Sequence, residues 1–316
     1  MLLRTSFLLL FTMMIGASIS AEPIALRNLS ILNTAEDEFA PTVTADGKTL
    51  VFNARRGGRY QDLFISQLQN GSWTEARPLT TLNSPFNDET PFISPDGKTI
   101  FFASDRDGSF ELPPDEKGQV RVSFDLYWSH FDNGSWSAPE KVPGGVNTPA
   151  HERSPTIQRS TGRLFFSRWP FGDFQRARLM VATFTPQGYG KLQEIQLPIS
   201  AGEQLHALIP GKDQTFFFTA RLKGSKGWDV YRTELQGLQF SAPESLAPGI
   251  NTDADEMYFS IADHRLFLCS NRTGGKGRFD IYTYGLEEQF APLAEKKGFT
   301  TQAIQFDFDQ ATIKPE

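Results

Sequence analysis

Short apolar runs alternate with turn-forming residues along most of the chain, the pattern of strands joined by hairpins. The clearest unit is Pro91-Phe92-Ile93-Ser94-Pro95-Asp96-Gly97-Lys98-Thr99-Ile100-Phe101-Phe102-Ala103-Ser104. Asp-Gly between two apolar runs is a hairpin signal, because Gly tolerates the positive φ of a tight turn. An earlier copy runs from Pro41 to Ala54 around Asp46-Gly47-Lys48. A third runs from Pro155 through Gly162 to Arg168, a fourth ends in Phe216-Phe217-Phe218-Thr219 and a fifth in Leu266-Phe267-Leu268-Cys269.

Two sets of markers give the period. Asp62, Asp125, Asp229 and Asp280 each open an Asp-apolar-aromatic strand, with gaps of 63, 104 and 51 residues. Asn33, Asn83, Asn147 and Asn251 have gaps of 50, 64 and 104. Since 104 is twice 52, a degenerate copy lies between, at Arg178-Leu179-Met180. The long second repeat holds a Pro- and charge-rich insertion at Phe110–Ser123 that reads as a surface loop. Each unit closes on an aromatic after a turn, often followed by Pro, which suits an outer edge where its missing donor costs no ladder bond. Four short strands recurring at this period predict an all-β, five-bladed β-propeller of four-stranded antiparallel blades. Its third strands are expected at Asp62–Ile65, Asp125–Trp128, Arg178–Val181, Asp229–Arg232 and Asp280–Thr283, with Asn53, Ala103, Ser167, Thr219 and Cys269 at matching sites. The segment 22–26 reads as an outer strand that closes the ring against the last blade.

Composition agrees: 28 Phe and 26 Gly suit aromatic strands punctuated by turns. A net charge of -6 argues against a nucleic-acid binder. Residues 1–21 read as a signal peptide: Arg4, the apolar run Phe7–Ile15, then small residues up to Ala21. The apolar run is short for a membrane span, so the mature protein is expected to be exported and not integral to the membrane. Cys269 is the single cysteine, so there is neither an intrachain disulfide nor a lipid-attachment site after the signal.

Ser94-Pro95-Asp96-Gly97-Lys98, the aromatic strand after it and the Asp-Leu-Tyr strand resemble the TolB-like, WD-like propeller repeats over about Asn33 to Tyr284. The third and fourth repeats depart from it at Ser160-Thr161-Gly162-Arg163 and Gly211-Lys212-Asp213. That family usually closes six blades, which makes six the alternative count. Ile304-Gln305-Phe306-Asp307-Phe308-Asp309 through Ala311-Thr312-Ile313-Lys314-Pro315-Glu316 resembles the opening of the OmpA-like peptidoglycan-binding domain: a strand, a turn, and Pro at a helix start. The organisation expected is 1–21 signal peptide, 22–293 propeller, 294–303 linker and 304–316 the start of a truncated OmpA-like domain, as in a fragment of a longer protein.

Two polar features recur. Acidic or polar pairs precede the Pro-led strands: Asp37-Glu38, Asp88-Glu89, His151-Glu152, Glu203-Gln204 and Asp255-Glu256. Arg55, Arg106, Arg168, Arg221 and Arg272 lie at or past the end of the following strand. Both sets fall on one face of the disc, where they form a candidate binding ring at the channel mouth. Recurrence in every blade favours a scaffold role, with Arg bidentate to carboxylate. No singular carboxylate pair, Gly-x-Ser-x-Gly elbow or His set with metal spacing stands out, so no enzyme, cofactor or metal is expected. Asp105-Arg106-Asp107-Gly108 reads as a loop cap. The expected function is a periplasmic, outer-membrane or cell-wall associated module. Its propeller binds an envelope protein or peptide, and a missing downstream domain reaches peptidoglycan. A propeller that binds or cleaves glycan in its channel is the alternative.

Overall fold

The computed structural model describes residues 24–285, except 113, 115–116, 119–120, 171–172, 174–175, 201–202, 212–213 and 237–238, and the backbone of 305–307 and 312–314. The signal segment and the linker lie outside the described residues. Five antiparallel sheets form the five blades of a propeller, so the six-bladed alternative does not apply. The chain opens with β1 (Arg27–Asn28). Blade 1 follows as β2 (Glu38–Val43), β3 (Thr49–Ala54), β4 (Asp62–Gln69) and an outer edge split into β5 (Ser72–Trp73) and β6 (Arg77–Pro78). Blade 2 is β7 (Asp88–Ile93), β8 (Thr99–Ser104), β9 (Asp125–Asp132), β10 (Ser135–Trp136) and β11 (Glu140–Lys141). Blade 3 is β12 (His151–Ile157), β13 (Leu164–Trp169), β14 (Arg178–Thr185) and β15 (Gly188–Ile195). Blade 4 is β16 (Gln204–Pro210), β17 (Thr215–Arg221), β18 (Asp229–Gln236), β19 (Gln239–Phe240) and β20 (Glu244–Ser245); blade 5 is β21 (Glu256–Ala262), β22 (Arg265–Ser270) and β23 (Asp280–Gly285).

Every expected third strand is present, and Asn53, Ala103, Ser167, Thr219 and Cys269 face Leu63, Leu126, Leu179, Val230 and Ile281 in the same register. All five are buried, because at this depth neighbouring blades leave room only for small side chains. The fourth strand of blade 5 comes from the N-terminal end: Arg27 and Asn28 pair with Thr283 and Tyr282. The closing strand thus lies just after the expected segment, while Ile24 N–H donates to Pro248 O at 2.7 Å. Gly249, at φ +92, has no room for a Cβ beside the Ile24 backbone, so glycine is what lets the closing segment lie there.

The Asn repeat has a physical cause. Asn33, Asn83, Asn147 and Asn251 each stand in for a strand beside a third strand. Each accepts from and donates to one backbone unit, at Ile281 (2.8 and 2.9 Å), Leu63 (2.8 and 3.1 Å), Leu126 (2.7 and 3.0 Å) and Val230 (2.9 and 2.8 Å). The apolar core lies between blades, in clusters such as Val51, Leu63, Leu82, Ile100 and Phe102. Beyond the propeller, Gln305–Asp307 pairs antiparallel with Thr312–Lys314. The segment expected to turn toward a helix thus returns as a second strand.

Candidate functional site

The predicted ring resolves into buried clasps. Glu38, Asp88, Glu152 and Glu256 are fully buried, and each binds an arginine: Arg56 (3.3 Å), Arg106 (2.5 Å), Arg168 (2.7 Å) and Arg272 (3.0 Å). The same carboxylates accept from the backbone N–H and hydroxyl of Thr34, Ser84, Thr148 and Thr252, four residues earlier. Each guanidinium also donates to the preceding connector, at Leu32, Leu82, Val146 and Ile250 carbonyls, and lies over a strand aromatic such as Phe102 or Tyr282. Burial pushes Glu152 up to about 7, with Thr148 and Arg168 pulling the other way.

Sequence reasoning placed Arg55 in this ring, and the structure puts Arg56 there instead. β3 ends at Ala54 opposite Glu38, and the residue two further on folds back over Phe52 and Phe64, leaving Arg55 exposed. In blade 4 Gln204 takes the carboxylate's place, and Arg221 reaches Asp255 of blade 5 at 3.3 Å. The remaining ring members fix loops. Asp37 accepts from Phe279 N–H (3.0 Å), Asp255 from Trp228 N–H (2.9 Å), and His151 Nδ1 from Phe124 N–H (3.1 Å). Asp105 caps Asn87 N–H at 2.8 Å, as expected of its loop.

Glu89 is different. The innermost strands β2, β7, β12, β16 and β21 each carry a bulge just after the residue that follows the clasp position, at Phe39, Glu89, Arg153, Leu205 and Met257, and Ala40, Thr90, Ser154 and Tyr258 take positive φ there. A bulge re-aims the side chains beside it. Five dissimilar side chains meet at the axis, one from each blade: Phe39, Glu89, Arg153, His206 and Tyr258. Arg153 Nη1 donates to Glu89 Oε2 at 3.0 Å, with 24% and 13% of the side chains exposed. The Arg153 guanidinium lies 3.6 Å from the Phe124 ring centre and 5.4 Å from that of Trp169. Tyr258 OH lies 3.3 Å from His206 Nε2, and Phe39 packs on Phe279 at 4.9 Å. Burial, aided by the Arg153 charge, lowers His206 to about 3 and His151 to about 4, so both stay neutral. Burial raises Glu89 despite Arg153, with Asp105 and Asp88 adding to the shift.

Below this cluster the channel widens into a cavity of about 710 Å³ that opens on the face carrying the hairpin turns. Its wall is largely apolar: Pro41, Pro91, Pro155, Ile157, Ile209 and Phe259 are among the lining residues. Sequence reasoning named Glu89 and missed Arg153, His206 and Tyr258. The one available signal was that Glu89 and Arg153, at one aligned position, and His206 and Tyr258, one residue further along their strands, differ in type from their counterparts in the other blades.

No family model matches the chain, and neither does any curated protein. Solved structures do. An α-L-arabinofuranosidase from Lactobacillus brevis matches at TM-score 0.51 and 12% identity, over 82% of this chain and 92% of that one. A GH43 endo-arabinanase from Bacillus licheniformis matches at 0.50 and 12%, over 80% and 96%. TolB from Acinetobacter baumannii matches at 0.46 and 14%, over 83% of this chain and 62% of its own length. The propeller fold is shared. The expectation that this chain is not an enzyme is corrected: glycosidases are built on this fold over nearly their whole length, so a missing sequence motif excludes no activity. Function lies in a few site residues grafted on a fold, and a motif search along the chain does not see their arrangement in space.

Proposed function

We propose that this chain is a cell-envelope interaction module whose propeller holds a peptide segment of a partner protein in its axial channel. The observation that carries this reading is the apolar wall of the cavity, which suits aliphatic or aromatic side chains better than a polyhydroxylated sugar. The N-terminal signal pattern and the OmpA-like opening of the tail support export to the periplasm and a tether to peptidoglycan through a downstream domain. The test is selection of a displayed dodecapeptide library on the protein. Selected peptides should carry apolar residues and lose binding to Ile261→Glu, which puts a charge in the cavity wall. Selected peptides that bind that variant equally well would reject the reading.

A second reading, a propeller that binds or cleaves glycan, is favoured by one observation. Glu89 is an axial acid without counterpart in the other blades, with Trp169 close by. Glycosidases of this kind use two carboxylates at a set separation, whereas Glu89 is engaged by Arg153. Release of reducing sugar from arabinan or xylan, abolished by Glu89→Gln, would establish it.

A further inference from the structure

Resting on the peptide reading, we propose that Arg153, at the mouth opposite the cavity's opening, is the recognition point for a carboxylate carried by the bound peptide, and that Glu89 occupies that place in the unliganded molecule. Five aligned positions frame the argument. The residues that follow the clasp position on the innermost strands are Phe39, Glu89, Arg153, Leu205 and Met257. Three are half-buried apolar side chains, and the two charged ones bind each other.

The fully buried carboxylates that pair with arginine at this face, Glu38, Asp88, Glu152 and Glu256, each belong to a clasp that recurs in four blades and also ties down a connector. Among the described residues Glu89–Arg153 ties down none. An ion pair taken out of water returns little net stability, so folding alone gives no reason to keep it here. Arg153 is also incompletely used: its Nε is buried and has no hydrogen-bond acceptor among the described residues. Stacking on Phe124 and Trp169 fixes the guanidinium plane, which preorganises a fork that binds carboxylate bidentately. His206 and Tyr258 bring no competing charge. A peptide carboxylate arriving over Phe39, Leu205 and Met257 would displace Glu89 from the guanidinium and leave Glu89 beside Arg55, whose charge already acts on it.

The test uses the whole chain labelled with 5-fluorotryptophan, with the Trp169 resonance assigned through Trp169→Phe. N-acetyl-phenylalanine should shift that resonance saturably, and its amide should bind about tenfold more weakly or worse, the scale of one charge-assisted hydrogen bond. Glu89→Gln should tighten binding of the acid, and Arg153→Gln should lose it. Equal binding of acid and amide, or unchanged binding to Arg153→Gln, overturns the proposal. So does a response to galacturonic acid alone, which would move the site to glycans. Should Arg153→Gln fail to fold, Glu89→Gln decides, since weaker binding to it contradicts the stand-in role. Failure here leaves the cavity-selected peptides and their sensitivity to Ile261→Glu untouched, so the two readings fail separately.

Discussion

At the residue scale, side chains that replace missing backbone partners carry much of the ring. Asn147 satisfies both polar groups of the Leu126 backbone. Asn147→Ala strands them, and the expected loss in chemical denaturation is about 1–3 kcal/mol. Glu152→Ala leaves the Arg168 and Thr148 donors without their acceptor and should cost a similar amount, on the order of 1–3 kcal/mol. Asp229 behaves in the opposite sense. Its counterpart Asp280 accepts from the Lys276 and Gly277 backbone at 2.6 and 2.8 Å, whereas buried Asp229, among the described residues, accepts from Tyr231 OH alone, at 3.3 Å. Burial raises Asp229 to about 6, with the Glu256 and Asp255 charges adding to it. A carboxyl whose folded value lies above its unfolded one binds protons more tightly in the native state, so stability falls as pH rises from about 4 to about 6. Asp229→Asn should remove that slope and raise stability at pH 7 by about 1–3 kcal/mol, read from denaturant midpoints across pH.

At the element scale, the connectors are unequal. Those entering blades 1, 2, 3 and 5 are each held by an Asn bridge and a carboxylate–arginine clasp. Among its described residues the connector from blade 3 to blade 4 has neither: Leu197 and Ile199 pack there, Gln204 replaces the buried acid, and half-buried Glu203 caps Ser200 N–H and Lys223 N–H instead. Local opening starts where backbone hydrogen bonds and burial are weakest. In hydrogen exchange, the amides of Leu197, Ile199, Gln204 and Leu205 should therefore exchange well ahead of Thr148–Arg153 at the equivalent junction. Equal protection at the two junctions would contradict the clasp account. The same comparison shows what the sequence makes legible. Asp-Leu-Tyr strands, Asp-Gly turns and the Asn spacing recur because each blade meets the same neighbours, so the fold and the clasps could be read from the period. Phe39, Glu89, Arg153, His206 and Tyr258 share no residue type. Their meeting is a property of the closed ring and its bulges, and a linear pattern does not contain it. Arg55 was preferred to Arg56 for a related reason: which of two adjacent arginines turns inward depends on where β3 stops pairing.

At the scale of the whole molecule, the propeller offers two unlike ends of one channel, an apolar cavity and a polar collar built on Arg153. The tail adds a paired strand whose sequence resembles the start of a peptidoglycan-binding module. If that module supplies the tether, the 316-residue chain should fail to co-sediment with purified peptidoglycan, and a chain extended through a complete downstream domain should be retained. Sedimentation of the short chain would assign wall contact to the propeller itself. The central claim, a partner peptide in the channel, is tested most directly by site-specific photo-crosslinking in intact cells. A benzophenone amino acid at Ile261, in the cavity wall, should give an adduct that protease digests to a short attached peptide. The same probe at Phe184, exposed away from the channel, should give none. Adducts at Phe184 but not Ile261, or an adduct at Ile261 that resists protease and yields to glycan hydrolysis, would contradict the account.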